Sequence, residues 1–72
     1  MKKEVRSNQE LGKILKERRE KLGITQKELA DFCDLSHNGI SRIEIGNSDI
    51  KLSTLLKMSK IIGINLIIEM ED

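Results

Sequence analysis

Residues 25–47, TQKELADFCDLSHNGISRIEIGN, decide the fold of this chain. They begin with a capping box, in which Thr25 and Glu28 each accept a hydrogen bond from the other residue's backbone amide through their side chains. Apolar residues then recur at helical spacing. The pattern predicts a short helix whose inward side chains are Leu29, Ala30 and Cys33.

A second short helix follows after a turn of about three residues. Asp34 stands at the turn, and aspartate tolerates the left-handed backbone conformation that a tight turn requires. Ser36 caps this later helix, which is the third helix of the chain, and Ile40 and Ile43 form its inward side. Gly46 closes it. Its outward side is polar and consists of His37, Asn38, Ser41 and Arg42.

Two longer helical patterns flank this pair. The first opens with a capping box from Ser7 to Glu10 and ends at Gly23, as a C-terminal glycine should. The fourth helix extends from about Leu52 to Ile62, judged by its apolar period. The predicted inward residues are Leu11, Ile14, Leu15 and Leu22 in the first helix, and Leu52, Leu55, Leu56, Ser59 and Ile62 in the fourth.

After Gly63 the apolar period changes from helical to alternating. The segment INLIIEM is rich in β-branched residues and predicts a strand. Everything before it is helical, so the strand has no partner in its own chain, and its backbone groups need one. We expect it to pair with the same strand of a second copy across a two-fold axis. The predicted dimerisation residues are Ile64, Leu66, Ile67, Ile68 and Met70.

The predicted fold is therefore all-α, with four helices and one C-terminal β-strand that pairs across a dimer. Residues 1–6 form an N-terminal arm, residues 7–63 a helix-turn-helix domain, and residues 64–72 the dimerisation strand with an acidic tail.

Length and composition limit the classes of protein that this chain can be. A chain of 72 residues forms one small domain, and small domains often gain stability from a disulfide, a metal or a second copy. One cysteine and one histidine provide neither an intramolecular disulfide nor a metal site, so we expect a homodimer without cofactors. We find no membrane-length apolar run and no signal-peptide core, and we predict a cytoplasmic protein.

The distribution of charge is more informative than the net charge of +1. Residues 1–27 carry nine basic and four acidic side chains, whereas residues 28–72 carry four basic and eight acidic ones. Such a bipolar domain can present a positive face to a polyanion. The charge distribution alone agrees equally well with a second interpretation, in which the charged residues lie on solvated helix surfaces and only keep the protein soluble.

The order of these motifs resembles the Xre-type helix-turn-helix family, which includes phage repressors and Cro-like proteins. The resemblance covers residues 7–66 and rests on TQ-x-ELA, IS-R-IE-x-G and the helix pattern L-x-x-LLK. The LKERREKLGITQ run and the strand after the fourth helix are similar to HipB-type antitoxins. The resemblance implies a lambda-repressor-like fold and a dimeric repressor that binds operator DNA and a HipA-like kinase toxin.

The resemblance also implies roles for individual residues. Arg19 and Glu44 match a salt bridge between the first and third helices, which is structural. Asparagine can bond adenine and arginine can bond guanine in the major groove, which suits the outward side of the third helix. The implied base contacts are His37, Asn38, Ser41 and Arg42, and the implied phosphate contacts are Gln26, Ser36, Lys27, Lys13 and Arg18.

Some positions depart from the family pattern and leave alternatives open. Gly39 stands where serine or threonine is common, and Phe32 and Ile45 stand where the family has polar surface. Each of these two apolar side chains either packs on neighbouring side-chain stems or, as we consider for Phe32, contacts a protein partner.

The competing functions are a phage-type or free-standing Xre repressor, and a helical protein-interaction module that does not recognise DNA. We do not expect an enzyme, because the sequence has neither a credible acid–base pair nor a phosphate-binding glycine loop.

Overall fold

The computed structural model describes all 72 residues and contains four helices. These are α1 (Asn8–Lys21), α2 (Gln26–Phe32), α3 (His37–Glu44) and α4 (Leu52–Ile62). The prediction of an all-α, four-helix domain is confirmed. None of the four helices combines the length and the apolar character needed to cross a membrane.

Side-chain caps start the first three helices where the sequence predicts them. The hydroxyl of Ser7 accepts from the Glu10 amide at 3.1 Å, and that of Ser36 accepts from the Gly39 amide at 2.9 Å. At α2 both bonds of the capping box form, each at 3.0 Å. The backbone amide of Thr25 thereby lowers the pKa of Glu28. These local bonds satisfy amides that a helix start leaves without partners.

The turn between α2 and α3 forms at Asp34, whose φ of 56° is the only positive value outside glycine. The amide of Leu35 donates to the Ala30 carbonyl at 2.9 Å and closes the end of α2. An aspartate can adopt this conformation at small cost, so the turn does not need glycine.

The core lies between the helix-turn-helix pair and the two flanking helices. It contains the predicted inward residues of α2 and α3, and Cys33 belongs to it. Burial raises the pKa of the Cys33 thiol, which makes it a small core side chain and not a reactive group. The eight buried apolar residues are Leu15, Leu29, Ala30, Cys33, Ile40, Ile43, Met58 and Ile62.

The predicted inward face of α4 was wrong in part. Leu52 and Leu56 are exposed, at 65% and 46%, whereas Met58 is fully buried. The buried face is centred on Met58 and Ile62, with Ser59 beside them, and so it is rotated about the helix axis from the predicted one. This helix contains three leucines and two isoleucines, and its apolar period does not determine which of them face the core.

Residues 64–72 form neither helix nor strand in the single chain. Gly63 adopts the left-handed conformation, and Ile64 then packs against the core while its amide donates to the Ser59 carbonyl at 3.1 Å. A strand requires a neighbouring strand for its ladder of hydrogen bonds, and this chain has no other strand to supply one. The side chains beyond that point are exposed, including Leu66, Ile67, Ile68 and Met70.

Gly12 stands in the middle of α1 because α3 crosses there at very short range. A Cβ at this position would collide with the carbonyl oxygen of Ile43 and would lie 2.6 Å from that of Glu44. Glycine inside a helix costs about 1 kcal/mol relative to alanine. The close crossing of α1 and α3 accounts for a residue that helix propensity disfavours.

We expect Gly12→Ala to destabilise the protein by about 1–3 kcal/mol, because overpacking against backbone outweighs the gain in helix propensity. Thermal and urea denaturation at one fixed protein concentration measure this change. Gly39→Ala is the matched control, since a Cβ there meets the side chains of Ser36 and Leu35, at 3.3 Å and 3.7 Å, and no backbone of another helix. A Gly12→Ala protein as stable as the control would refute the close crossing.

Candidate nucleic-acid interface

The third helix is buried on one side and polar on the other. Ile40, Ile43 and Glu44 are buried, whereas the opposite side is open to solvent. That open side carries the four residues expected to contact bases, with Ser41 half-buried and His37, Asn38 and Arg42 exposed. The structure therefore places all four on one accessible surface, and their contact with bases stays a prediction.

Two large apolar side chains are exposed near this helix pair. Phe32, the last residue of α2, is 67% exposed, and Ile45, which follows α3, is 61% exposed. The interpretation that both pack on neighbouring side chains does not agree with these exposures. Ile45 lies seven residues after Asn38 and therefore on the same side of α3. The exposed side of α3 is thus polar along the helix and apolar at its carboxyl end.

A buried ion pair fixes α3 against α1. Arg19 Nε donates to Glu44 Oε2 at 2.6 Å, and a second guanidinium nitrogen donates to Glu44 Oε1 at 3.0 Å. The two side chains are only 9% and 1% exposed. The hydrogen bond to Glu44 raises the pKa of Arg19 against the opposing effect of burial. The remaining Arg19 nitrogen donates to the Ile24 carbonyl at 2.7 Å.

The same glutamate extends this network to the start of α2 and α3. Gln26 Nε2 donates to Glu44 Oε1 at 2.8 Å, and Gln26 Oε1 lies 2.8 Å from His37 Nε2. Gln26 is the first residue of α2 and His37 the first residue of α3. The amino ends of both helices therefore meet.

Three of the five predicted phosphate contacts, Lys27, Ser36 and Lys13, are exposed. Lys27 is exposed at the second position of α2, next to Gln26. Ser36 uses its oxygen as an acceptor in the cap, and its hydroxyl hydrogen is still available to a phosphate oxygen. Lys13 is exposed on α1, where it shares a shallow surface depression with Lys3 and three carboxylates, those of Glu4, Glu10 and Glu17.

Arg18, which the resemblance places at the phosphate backbone, has a different position. It is half-buried, and its Nε donates to the carbonyl of Ile62 at 2.7 Å, at the carboxyl end of α4. A cation at the end of a helix is favourable because the last carbonyls have no partners within the helix. The structure thus gives Arg18 a structural role that sequence position did not indicate.

The hydrogen bond between Gln26 and His37 also went unpredicted. Its partners are eleven residues apart, and no periodic pattern relates the first residues of two successive helices. The only indication of this bond in the sequence was the position of the capping residues Thr25 and Ser36, because they fix where α2 and α3 begin. No three histidine, cysteine or acidic side chains cluster closely enough to hold a metal ion.

Comparison with known protein families agrees with this geometry. The model of the family described as "Helix-turn-helix" matches residues 15–67. The chain belongs to the helix-turn-helix family. The prediction of an Xre-type helix-turn-helix protein is confirmed, and membership of this family agrees with the prediction that the chain is not an enzyme.

Helix-turn-helix relatives include two proteins of Bacillus subtilis (strain 168). The HTH-type transcriptional regulator ImmR is 42% identical over 55 residues, which are 76% of this chain and 43% of that protein. The SPbeta prophage-derived uncharacterized HTH-type transcriptional regulator YonR is 37% identical over 54 residues, 75% of this chain and 50% of that protein. The chain spans half or less of the length of these relatives.

Solved structures share the fold over most of this chain. The restriction-modification controller protein C.AhdI from Aeromonas hydrophila superposes with a TM-score of 0.75 at 26% identity, over 81% of this chain and 88% of that chain. HipB in complex with an O2 20mer gives a TM-score of 0.81 at 22% identity, over all of both chains. At 22% identity, the likeness to HipB shows only that the two chains share a fold.

Proposed function

We propose that this chain is a sequence-specific DNA-binding transcriptional repressor that acts as a homodimer on an inverted-repeat operator. The observation that carries the proposal is the accessible polar side of α3, whose first residue is tied to the first residue of α2. The names of the relatives, which are transcriptional regulators, support the same function.

The chemistry of the exposed residues suits the major groove, which is about 12 Å wide and admits an α-helix. Asn38 can donate to and accept from adenine, and Arg42 can donate two hydrogen bonds to guanine. Gln26, Lys27 and Ser36 lie at the starts of α2 and α3, where they would contact phosphate oxygens. The basic excess in residues 1–27 would attract the duplex over a longer range.

The carboxyl-terminal segment supplies the surface for a second copy. Leu56, Ile64 and Leu66 line one open groove between α4 and the tail, and the tail's remaining apolar side chains are exposed. Pairing of two tails as antiparallel strands would satisfy their backbone groups and cover these side chains. Two copies of α3 would then enter major grooves about 34 Å apart, one helical turn of DNA.

We expect Arg42→Ala and Lys27→Ala to weaken DNA binding in different ways. Loss of a base contact should cost about 1–3 kcal/mol and relax specificity at one base pair of each half-site, whereas loss of a phosphate contact should weaken binding to all sequences similarly. Gel shifts with the promoter upstream of the chain's own gene, with single-base variants of it and with random duplexes measure both effects. Equal losses on every duplex for both variants would exclude Arg42 from base contact.

We expect deletion of residues 65–72 to leave a monomer that binds the operator far more weakly than the parent chain does. When one subunit of a dimer has bound its half-site, the other subunit is held close to the second half-site and binds it intramolecularly. A monomer lacks this gain in affinity. Sedimentation measures the mass, and gel shift measures the affinity. A matched control replaces only the acidic residues Glu69, Glu71 and Asp72 by their amides, which keeps the apolar side chains. A deletion variant that still sediments as a dimer would contradict pairing through the tail.

A finer form of this proposal is the antitoxin of a HipBA-like toxin–antitoxin system, with a HipA-like kinase toxin as partner and the cytoplasm as location. The whole-chain likeness to the HipB fold, tail included, supports it. The relatives above 35% identity support instead a free-standing or prophage-type repressor. The exposed Phe32 is the observation that favours a protein partner, because it ends α2 opposite the Gln26 end.

If Phe32 contacts a partner, Phe32→Lys should change operator affinity by no more than about twofold, because Phe32 lies at the opposite end of α2 from the proposed DNA contacts. Substitution of an exposed residue usually changes the free energy of unfolding by less than about 0.5 kcal/mol, so the variant should stay folded. It should also abolish co-purification with a kinase-like protein encoded beside this chain. Asp31→Lys introduces the same side chain at the adjacent exposed position and serves as control. Co-purification that survives in Phe32→Lys would remove Phe32 from any partner surface. A chain that shifts no duplex but retains a partner would be the interaction module considered above.

A further inference from the structure

We infer that His37 carries its ring proton on Nε2 and uses Nδ1 as a hydrogen-bond acceptor, so that it recognises an exocyclic amino group, that of adenine or cytosine, in the major groove. The inference rests on the proposed function for its DNA ligand. The assignment of the proton rests only on the contacts within the chain.

The first step concerns the orientation of the Gln26 amide. Glu44 is ion-paired with Arg19, and an ionised carboxylate can only accept hydrogen bonds. The Gln26 atom 2.8 Å from Glu44 Oε1 must therefore be the NH2 nitrogen. Oxygen and nitrogen of an amide are otherwise easily interchanged, but here the buried ion pair permits one orientation only.

The second step follows from that orientation. With its nitrogen on Glu44, Gln26 presents its oxygen to His37 Nε2 at 2.8 Å. An amide oxygen can only accept, so Nε2 must carry a hydrogen and donate it. In a neutral imidazole one ring nitrogen is a donor and the other an acceptor, which leaves Nδ1 as the acceptor.

The third step is the chemistry of the base edges. In the major groove only the N6 amino group of adenine and the N4 amino group of cytosine are donors, whereas guanine and thymine present acceptors and a methyl group. A fixed acceptor on His37 therefore favours adenine or cytosine at the base that it faces. Asn38, beside it, has both donor and acceptor atoms and can turn its amide, so the same restriction does not apply to it.

The network gives Gln26 a positioning role beyond its expected phosphate contact. Arg19 holds Glu44, Glu44 orients Gln26, and Gln26 sets the proton of His37. Base preference at one position of the operator would thus depend on a buried ion pair that no DNA atom reaches.

Nuclear magnetic resonance tests the proton assignment without DNA. His37 is the chain's one histidine, so its ring nitrogens are identified unambiguously in a long-range proton–nitrogen correlation spectrum. At about pH 8 we expect protonated Nε2 and unprotonated Nδ1 in the parent chain. In Gln26→Met the two tautomers should mix as they do in a free imidazole, and Asn38→Ala should match the parent.

A proton on Nδ1 in the parent chain overturns the assignment, as does a Gln26→Met spectrum identical to that of the parent. Signal dispersion of the other residues shows whether Gln26→Met is folded. If it is not folded, the parent chain and Asn38→Ala still decide the tautomer.

Base analogues test the contact with DNA. Selection from a random duplex pool with the parent chain and with His37→Ala identifies the base pair that depends on His37. At that pair, replacing adenine by purine, or cytosine by pyrimidin-2-one, removes the amino group alone. We expect this to lower the affinity of the parent chain about two- to tenfold, the effect of one hydrogen bond, and to leave His37→Ala unchanged.

Replacing the purine by its 7-deaza form removes an acceptor and should have no such effect. A pair sensitive to the 7-deaza purine and insensitive to loss of the amino group overturns the inference while the proposed function stands. A pool from which the parent chain enriches no sequence overturns the proposed function and the base contact together, and the spectra then report on the proton assignment independently.

Discussion

The ion pair between Arg19 and Glu44 is the interaction on which the position of α3 depends. Both side chains are almost fully buried, and leaving either one without its partner costs about 3–5 kcal/mol. Native domains are stable by about 0.05–0.15 kcal/mol per residue, which is about 4–11 kcal/mol for a chain of this length. The cost of removing one partner of this pair is therefore comparable with the free energy of unfolding of the whole domain. In a domain with so small a core, a change that releases α3 from α1 is expected to unfold the chain as well.

Backbone contacts reinforce this ion pair along the same crossing. Gly12 lets α1 approach the carbonyl groups of Ile43 and Glu44, and the Gly46 backbone approaches Gln9 of α1. The Gln9 side chain donates to the Gly46 carbonyl at 3.3 Å, and the next residue back, Asn8, donates to Asp49 at 2.8 Å. The carboxyl end of α3 is thus held by several turns of α1, which leaves its amino end free to be positioned by Gln26.

The sequence predicted the structure that depends on neighbouring residues, and it missed most contacts between distant ones; the Arg19–Glu44 pair was expected only from the family resemblance. Helix starts at Thr25 and Ser36, and the turn at Asp34, follow from local hydrogen bonds and φ angles, and the structure has them where they were expected. The buried face of α4 was misassigned because several rotations of that helix bury apolar side chains equally well. The bond of Arg18 joins α1 to the end of α4, and the bonds of Gln26 join the start of α2 to both ends of α3. Residue type alone does not specify such partners. The predicted strand is absent from the single chain, which contains no other strand that could pair with it.

The two adjacent arginines of α1 connect that helix to the carboxyl ends of two other helices. Successive residues of a helix point about 100° apart, so Arg18 and Arg19 reach different neighbours from the same turn. Arg19 binds the end of α3, whereas Arg18 binds the last carbonyl of α4, immediately before the tail begins. One turn of α1 therefore contacts both the carboxyl end of α4, where the tail begins, and the carboxyl end of α3. For two copies joined by their tails, this turn would determine the separation of the two copies of α3. A dimer matches one half-site spacing only if that separation is fixed.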